Sequence, residues 1–316
     1  MIFVPHNFYL APLRGVTDVI FRETFERYFG HFDFLLTPFI TSVRGREVKA
    51  SHLNDVSGEV NDRRRVVPQM LGNEIDMLRM LAETFVRLGY SYVNLNLGCP
   101  HPQVTKKKRG SGLLPHPGLV EPMIASLCGI GTFSLSVKVR LGLEKNDDLI
   151  ALMPVLNRYP LSEVIIHPRT ASQGYTGSVD FERFAEAAAA CCHPVVYNGD
   201  ITTSDFFADV KHRFPGIARW MVGRGIVERP GLLDVLRNGE ADTPDAGRLR
   251  RFHDDLFSAN EKRLFGPSHL LGKMKEFWAY FCISFPKSAK VFRQISRCST
   301  VAEYHARVNE AFSKIV

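Results

Sequence analysis

The chain has no run of about 18 uninterrupted apolar residues, so nothing in it reads as a membrane span. It also lacks a C-x-x-C pair and an H-E-x-x-H motif, which argues against zinc; no metal is expected. Its six cysteines (Cys99, Cys128, Cys191, Cys192, Cys282, Cys298) are scattered through 316 residues and do not form the tight framework of a disulfide-stapled domain. That usage fits a reducing compartment, and a cytoplasmic monomer is the expectation. Met1 to Leu10 has no basic leader and runs into a strand-like segment, so it reads as structure and not as a signal peptide. Low-complexity tracts are missing too.

With 45% hydrophobic residues the chain can bury the core of one large domain plus a small one. The net charge of +7 is unevenly placed. Residues 241–316 hold 13 Lys/Arg against 8 Asp/Glu, whereas the first 240 hold 27 against 25. A basic tail on a near-neutral body suits a polyanion partner, although basic solvated helix faces would give the same count.

Short apolar segments read as strands at Phe8–Ala11, Phe32–Leu36, Val66–Leu71, Tyr92–Leu97, Ser134–Val139, Glu163–His167, Pro194–Tyr197 and Arg219–Val222. Between them lie amphipathic stretches such as Glu74–Leu88, Phe181–Ala190 and Ser204–Phe214. Eight β–α units over about 240 residues predict a (β/α)8 TIM barrel of class α/β. An open doubly wound sheet is the alternative, disfavoured because the Gly-rich phosphate signals follow the seventh and eighth strands and not the first. The barrel is expected at 1–240 and a small helical domain at 241–316, after a breaker-rich link containing Gly239, Asp242, Pro244 and Gly247. Helices are expected at Arg248–Leu264, His269–Phe281 and from Ser288 to the end, with turns at Gly266-Pro267 and Phe285-Pro286.

Chemistry in such barrels sits at the C-terminal strand ends. Those positions hold Ala11-Pro12-Leu13, Gln69, Asn96 with Cys99 beyond it, Lys138 and Arg140, His167 and Arg169, Asn198-Gly199-Asp200, and Gly223-Arg224-Gly225. Polar groups gathered at one end of apolar strands need partners, and a polar ligand would satisfy them together. The late glycines with Arg224 suit a phosphate. Cys99, between Gly98 and Pro100 just past a strand, is either reactive or a packing residue.

The motifs Leu10-Ala11-Pro12-Leu13-Arg14-Gly15-Val16-Thr17-Asp18, Gln69-Met70-Leu71-Gly72, Asn96-Leu97-Gly98-Cys99-Pro100, Ser136-Val137-Lys138-Val139-Arg140-Leu141-Gly142, His167-Pro168-Arg169-Thr170, Asn198-Gly199-Asp200-Ile201 and Val222-Gly223-Arg224-Gly225 together resemble the tRNA-dihydrouridine synthase family. The resemblance implies an FMN-bound barrel with a helical tRNA-docking domain. Such enzymes reduce the C5–C6 double bond of uridines in tRNA, with NADPH as reductant. By position it implies FMN contacts from Ala11, Pro12, Leu13, Gln69, Asn96, Lys138, His167, Asn198, Gly199, Asp200, Gly223 and Arg224. Cys99 would be the proton donor, a role suited to a thiol that is mostly protonated at neutral pH. Arg140, Arg169, the Lys106-Lys107-Lys108-Arg109 run, Lys273 and Lys275 would face substrate or RNA. The chain departs from the family pattern at Asn94, where a carboxylate is usual, at Pro38, where an acid is common, at Leu13, where methionine is frequent, and in a shortened Gly110–Leu114 loop. An FMN reductase of a small pyrimidine or enone, and an RNA-binding relative with weakened catalysis, are the competing readings.

Overall fold

The computed structural model describes residues 6–41, 48–239 and 245–315. Met1–Pro5, Asp242, Pro244 and the expected boundary at 240/241 lie outside the described residues. Ten strands form one sheet: β1 (Asn7–Leu10), β2 (Phe34–Leu36), β3 (Ile40–Thr41), β4 (Val66–Val67), β5 (Gln69–Leu71), β6 (Tyr92–Leu97), β7 (Ser134–Gly142), β8 (Glu163–Thr170), β9 (Val195–Tyr197) and β10 (Arg219–Val222). The order is β3-β5-β6-β7-β8-β9-β10-β1-β2-β4, and neighbouring strands pair in parallel.

The two ends of that order meet. β4 and β5 are halves of one strand parted at Pro68, which has no N–H to give the ladder. Its carbonyl still accepts from Asn94 N at 2.9 Å, and the backbone N–H of Gln69 donates to Thr37 Oγ1 at 3.1 Å. β4 pairs with β2 while β5 pairs with β6, so eight strand positions close into a TIM barrel. Strands such as β8 are buried at every position, as parallel strands covered on both faces must be. Tyr9, Ala11, Leu36, Val67, Ile165, Val196 and Met221 fill the interior. Toward the N-terminal ends of the strands, Glu163 accepts from Tyr9 Oη and from Arg219, both at 2.9 Å, and burial raises its carboxyl above the ordinary range.

The chain divides into two compact units. One comprises residues 1–12, 33–199 and 213–221, and the other residues 13–32, 200–212 and 222–316. In the second, Phe21, Phe25 and Phe29 of the Val19–Phe29 helix meet Phe252 of the Ala246–Arg263 helix at centroid distances of 6.0, 6.3 and 5.2 Å. Aromatic packing of this kind explains why a helix that follows the first barrel strand in sequence clusters with the tail. The single helix expected from Ser288 onward is two, Ser288–Ser296 and Val301–Phe312. Thr300 and Glu303 form a capping box that starts the second, a signal visible in the sequence. No described helix is long and apolar enough to cross a membrane, and no group of three or more metal-ligating side chains occurs among the described residues.

Candidate active site

Across β5, β6 and β7 the side-chain amides form one directed chain. Asn96 Nδ2 donates to Gln69 Oε1 at 2.7 Å, Gln69 Nε2 to Asn94 Oδ1 at 2.8 Å, and Asn94 Nδ2 to Ser136 Oγ at 2.8 Å. All four residues are buried, so each amide orientation is set by the next. Asn94, where the family pattern has a carboxylate, both accepts and donates; a carboxylate would only accept. Ser136 lies on the same side of β7 as Lys138, two residues along. That period-two spacing was the signal by which Asn94 and Ser136 should have joined the site.

Asn96 Oδ1 in turn accepts from the backbone N–H groups of Gly98 and Cys99, at 3.0 and 2.8 Å. The carbonyl of Cys99 accepts from Ser111 N at 3.2 Å and Ser111 Oγ at 2.8 Å. The Cys99 backbone is thereby held on both sides. The shortened loop, a 3-10 turn at Gly110–Leu113, is the brace. Gly110 has φ +56°, and a Cβ there would lie 2.9 Å from Cys99 Cβ. Gly110→Ala is therefore expected to lose about 1–2 kcal/mol from the left-handed backbone alone, with the clash added. Gly118→Ala, in a helix and with open space around its Cβ, should be neutral or stabilising. Urea midpoints at constant m-value separate the two; equal effects would refute the bracing role of Gly110.

Lys138 lies opposite Asn96 on one side and Ile165 on the other. Burial, helped by the charge of Arg140, pushes its ammonium down to about 7, while Cys99 pulls it the other way. Its side chain keeps some exposed surface. Arg140 is buried and donates to the carbonyls of Thr170 and Gly174, both at 2.7 Å. Arg169 is buried as well; it donates to the Gly177 carbonyl at 2.6 Å and approaches His167 Nε2 at 3.3 Å. A guanidinium only donates, so Nε2 accepts and a neutral His167 carries its hydrogen on Nδ1. The two arginines thus organise the loop after β8. That loop carries the half-exposed Tyr175, whose ring lies 5.5 Å from the Arg140 guanidinium and 6.2 Å from the His167 ring. Tyr175 was missed; an aromatic alone in a polar loop beyond a strand end was its only sequence signal.

Asn198 donates to the Met221 carbonyl at 2.9 Å, and a Cβ at Gly199 would meet Val179 at 3.0 Å. Ala11 is buried at the end of the first barrel strand, followed by the partly exposed Pro12. In the second unit, Leu13 N donates to Thr17 Oγ1 at 2.8 Å, and Arg224 pairs with Asp200 at 2.6 Å. Gly223 precedes the Arg224–Glu228 helix, and a Cβ on Gly225 would lie 2.2 Å from the Ile201 carbonyl, so only glycine fits.

Among the expected RNA-facing cations, Lys106, Lys107 and Lys108 are exposed. Arg109 is instead engaged with Asn73 at 2.9 Å and Glu74 at 3.5 Å. Lys273 binds Asp18 at 2.6 Å and the Gly15 carbonyl at 2.7 Å, and Lys275 the Cys298 carbonyl at 2.7 Å.

The dihydrouridine synthase family model matches residues 9–316. A tRNA-dihydrouridine(16) synthase of Aquipseudomonas alcaligenes is 27% identical over 91% of this chain and 94% of its own length. Its namesake in Pseudomonas putida is 28% identical over 91% and 92%. The tRNA-dihydrouridine synthase B of Pseudomonas aeruginosa is 28% identical over 75% of this chain and 72% of its own. Among solved structures, morphinone reductase superposes with a TM-score of 0.54 at 12% identity, covering 77% of this chain and 88% of that one. The old yellow enzyme from Trypanosoma cruzi gives 0.54 at 8% identity, over 74% and 89%. Those two likenesses concern the fold alone. The family match runs from the first barrel strand through the last helix, and the chain belongs to the dihydrouridine synthase family of oxidoreductases.

Proposed function

We propose that the chain is an FMN- and NADPH-dependent tRNA-dihydrouridine synthase, with its barrel at residues 1–240 and a tRNA-docking segment at 241–316. The observation that carries this reading is a thiol, Cys99, fixed through both its backbone groups just past β6, the strand that pairs with β7 and sets Asn96 opposite Lys138. The donor set suits a flavin: the partly buried Lys138 answers the electron-rich edge of a reduced ring, and the buried Gln69 and Asn96 add amide donors and acceptors. Within the second unit, Arg224, which follows Gly223 after β10, pairs with Asp200.

FMN bound there would supply the hydride received by C6 of the uracil. Cys99 gives its proton to C5, and the thiolate left behind is stabilised by the Lys138 charge. Lys138 holds negative charge at the cofactor edge. His167, with its hydrogen on Nδ1, donates to a carbonyl oxygen. A uridine inside folded tRNA is shielded on both faces, so it must leave its stack to react. Lys106, Lys107 and Lys108, exposed on the turn that follows Cys99, suit phosphates flanking that nucleotide.

Uridine 16 is the proposed target, because relatives bearing that number in their names match over 91% of this chain, helical segment included. Mapping dihydrouridine in tRNA from cells with and without the gene tests this. Loss of the modification at position 16 is expected. Unchanged tRNA would overturn the reading, and loss at another position would overturn the site assignment.

A further inference from the structure

We propose that Lys273, expected from the sequence to face RNA, is instead a positioning residue: it fixes the turn Leu13–Asp18 in the form that holds the cofactor. This rests on the flavin reading above and deepens it, because Leu13 is among the residues to which FMN contacts are assigned. The turn continues the chain directly from Ala11 and Pro12 at the end of the first barrel strand. Lys273 and the turn belong to the same compact unit.

The turn's own hydrogen bonds secure its two ends. Leu13 N donates to Thr17 Oγ1 at 2.8 Å, and the Leu13 carbonyl accepts from the N–H groups of Val16 and Thr17, both at 3.0 Å. The buried Arg22 adds a bond to the Thr17 carbonyl at 3.1 Å. The middle is held by the Pro267–Phe281 helix. There Lys273 Nζ donates to the Gly15 carbonyl at 2.7 Å and to Asp18 Oδ2 at 2.6 Å, so one ammonium ties the apex to the last residue. The other Asp18 oxygen accepts from Phe21 N at 3.1 Å and caps the Val19–Phe29 helix. Glu276, three residues beyond Lys273, lies against the same apex, where a Cβ on Gly15 would run into its carboxylate. Gly15 also has φ +80°, a region that glycine enters without strain.

Stability alone does not call for an ammonium here. The Lys273 side chain is only 15% exposed, and Leu270, Met274 and Phe277 on its helix are buried and apolar. Replacing a largely buried ion pair by well-packed apolar groups is often neutral or stabilising, whereas the pair can impose a single register. Two short, charge-assisted bonds select one path for the Gly15 peptide, which a non-directional apolar contact would not do. They also occupy two of the three ammonium hydrogens inside the protein, which leaves Lys273 poorly placed to take an RNA phosphate.

The test measures FMN affinity of the full-length protein by flavin fluorescence, at a temperature where thermal melts show parent and variants folded. Lys273→Met keeps the stem and removes both donors. Its FMN dissociation constant should rise about tenfold, the factor expected when the turn spends a tenth of its time in the holding form. Lys273→Arg, which can again donate to both acceptors, should recover most of that loss, and the salt slope of tRNA binding should stay parental. Parental FMN affinity in Lys273→Met overturns the assignment. Combined with a lower melting temperature, that result makes Lys273 a packing residue; combined with a salt slope shallower by about 0.7–0.9, it makes Lys273 a phosphate contact. Should Lys273→Met fail to fold, Asp18→Asn takes its place, since asparagine keeps the helix cap and gives up the ion pair. Weakened FMN binding then supports the assignment, and parental affinity overturns it. A parental protein that binds no FMN overturns the flavin reading itself, and this assignment with it.

Discussion

On the proposed chemistry, Cys99→Ala is expected to accept hydride from NADPH onto bound FMN at the parental rate, while uridine reduction slows by about 10²–10⁴-fold, the usual contribution of a positioned general acid. The two half-reactions separate cleanly in stopped flow, because flavin absorbance reports each in turn. The split follows from the structure. Asn96 and Ser111 grip the backbone of Cys99 through hydrogen bonds that alanine keeps, so the loop should hold its course in the variant. Equal loss in both half-reactions would take the acid role away from Cys99 and return it to packing. Cys99→Ser keeps a weaker donor in the same place and should fall between the two.

The second large effect concerns Lys138. Lys138→Met removes the charge while keeping most of the side-chain volume. A charge-assisted contact of about 1.5–3 kcal/mol would be lost, weakening FMN retention by roughly 10–150-fold. The pH dependence carries a sign. With its ammonium pushed down to about 7, Lys138 in the cofactor-free protein is charged below that value and neutral above it. An electron-rich ligand beside it raises the value again, so binding takes up a proton above pH 7. Retention should be strongest at and below pH 7 and fall by up to about tenfold per unit above it. The cofactor-free fold behaves oppositely. Its Lys138 value is depressed below that of the unfolded chain, so this group destabilises it below pH 7, and stability rises as pH increases from there. Titrating FMN binding calorimetrically in two buffers of different ionisation heat measures the proton uptake. A pH-independent affinity, shared by parent and variant, would remove Lys138 from the site.

The barrel could be read from the chain because its strands are short apolar runs whose polar ends recur at one side. Gln69, Asn96, Lys138 and His167 were expected at strand ends by that logic, but β7 and β8 run on to Gly142 and Thr170, which leaves Lys138 and His167 inside their strands, and Gln69 opens β5. Where local pattern stopped helping, partners lay far away in sequence. Lys273 looked available beside its aromatics, yet its ammonium is taken by Asp18, 255 positions earlier. Arg140 and Arg169 looked like substrate contacts, but carbonyls at the end of β8 and in the loop after it hold them. Nothing in a single sequence states which acceptor a cation will find. The fate of the Val19–Phe29 helix was hidden for the same reason, since its phenylalanines could have packed on any aromatic surface. The division of the last helix was legible in Thr300 and Glu303 and was overlooked.

The amide chain from Ser136 to Asn96 bears on how the protein meets its ligands. Each member is locked by its neighbour, so none can rotate alone without orphaning a buried group. The wall is already in its working posture before anything arrives, and recognition there spends little free energy on rearrangement. If the proposed cofactor binds there, such a template trades tolerance of other shapes for fidelity to one ring.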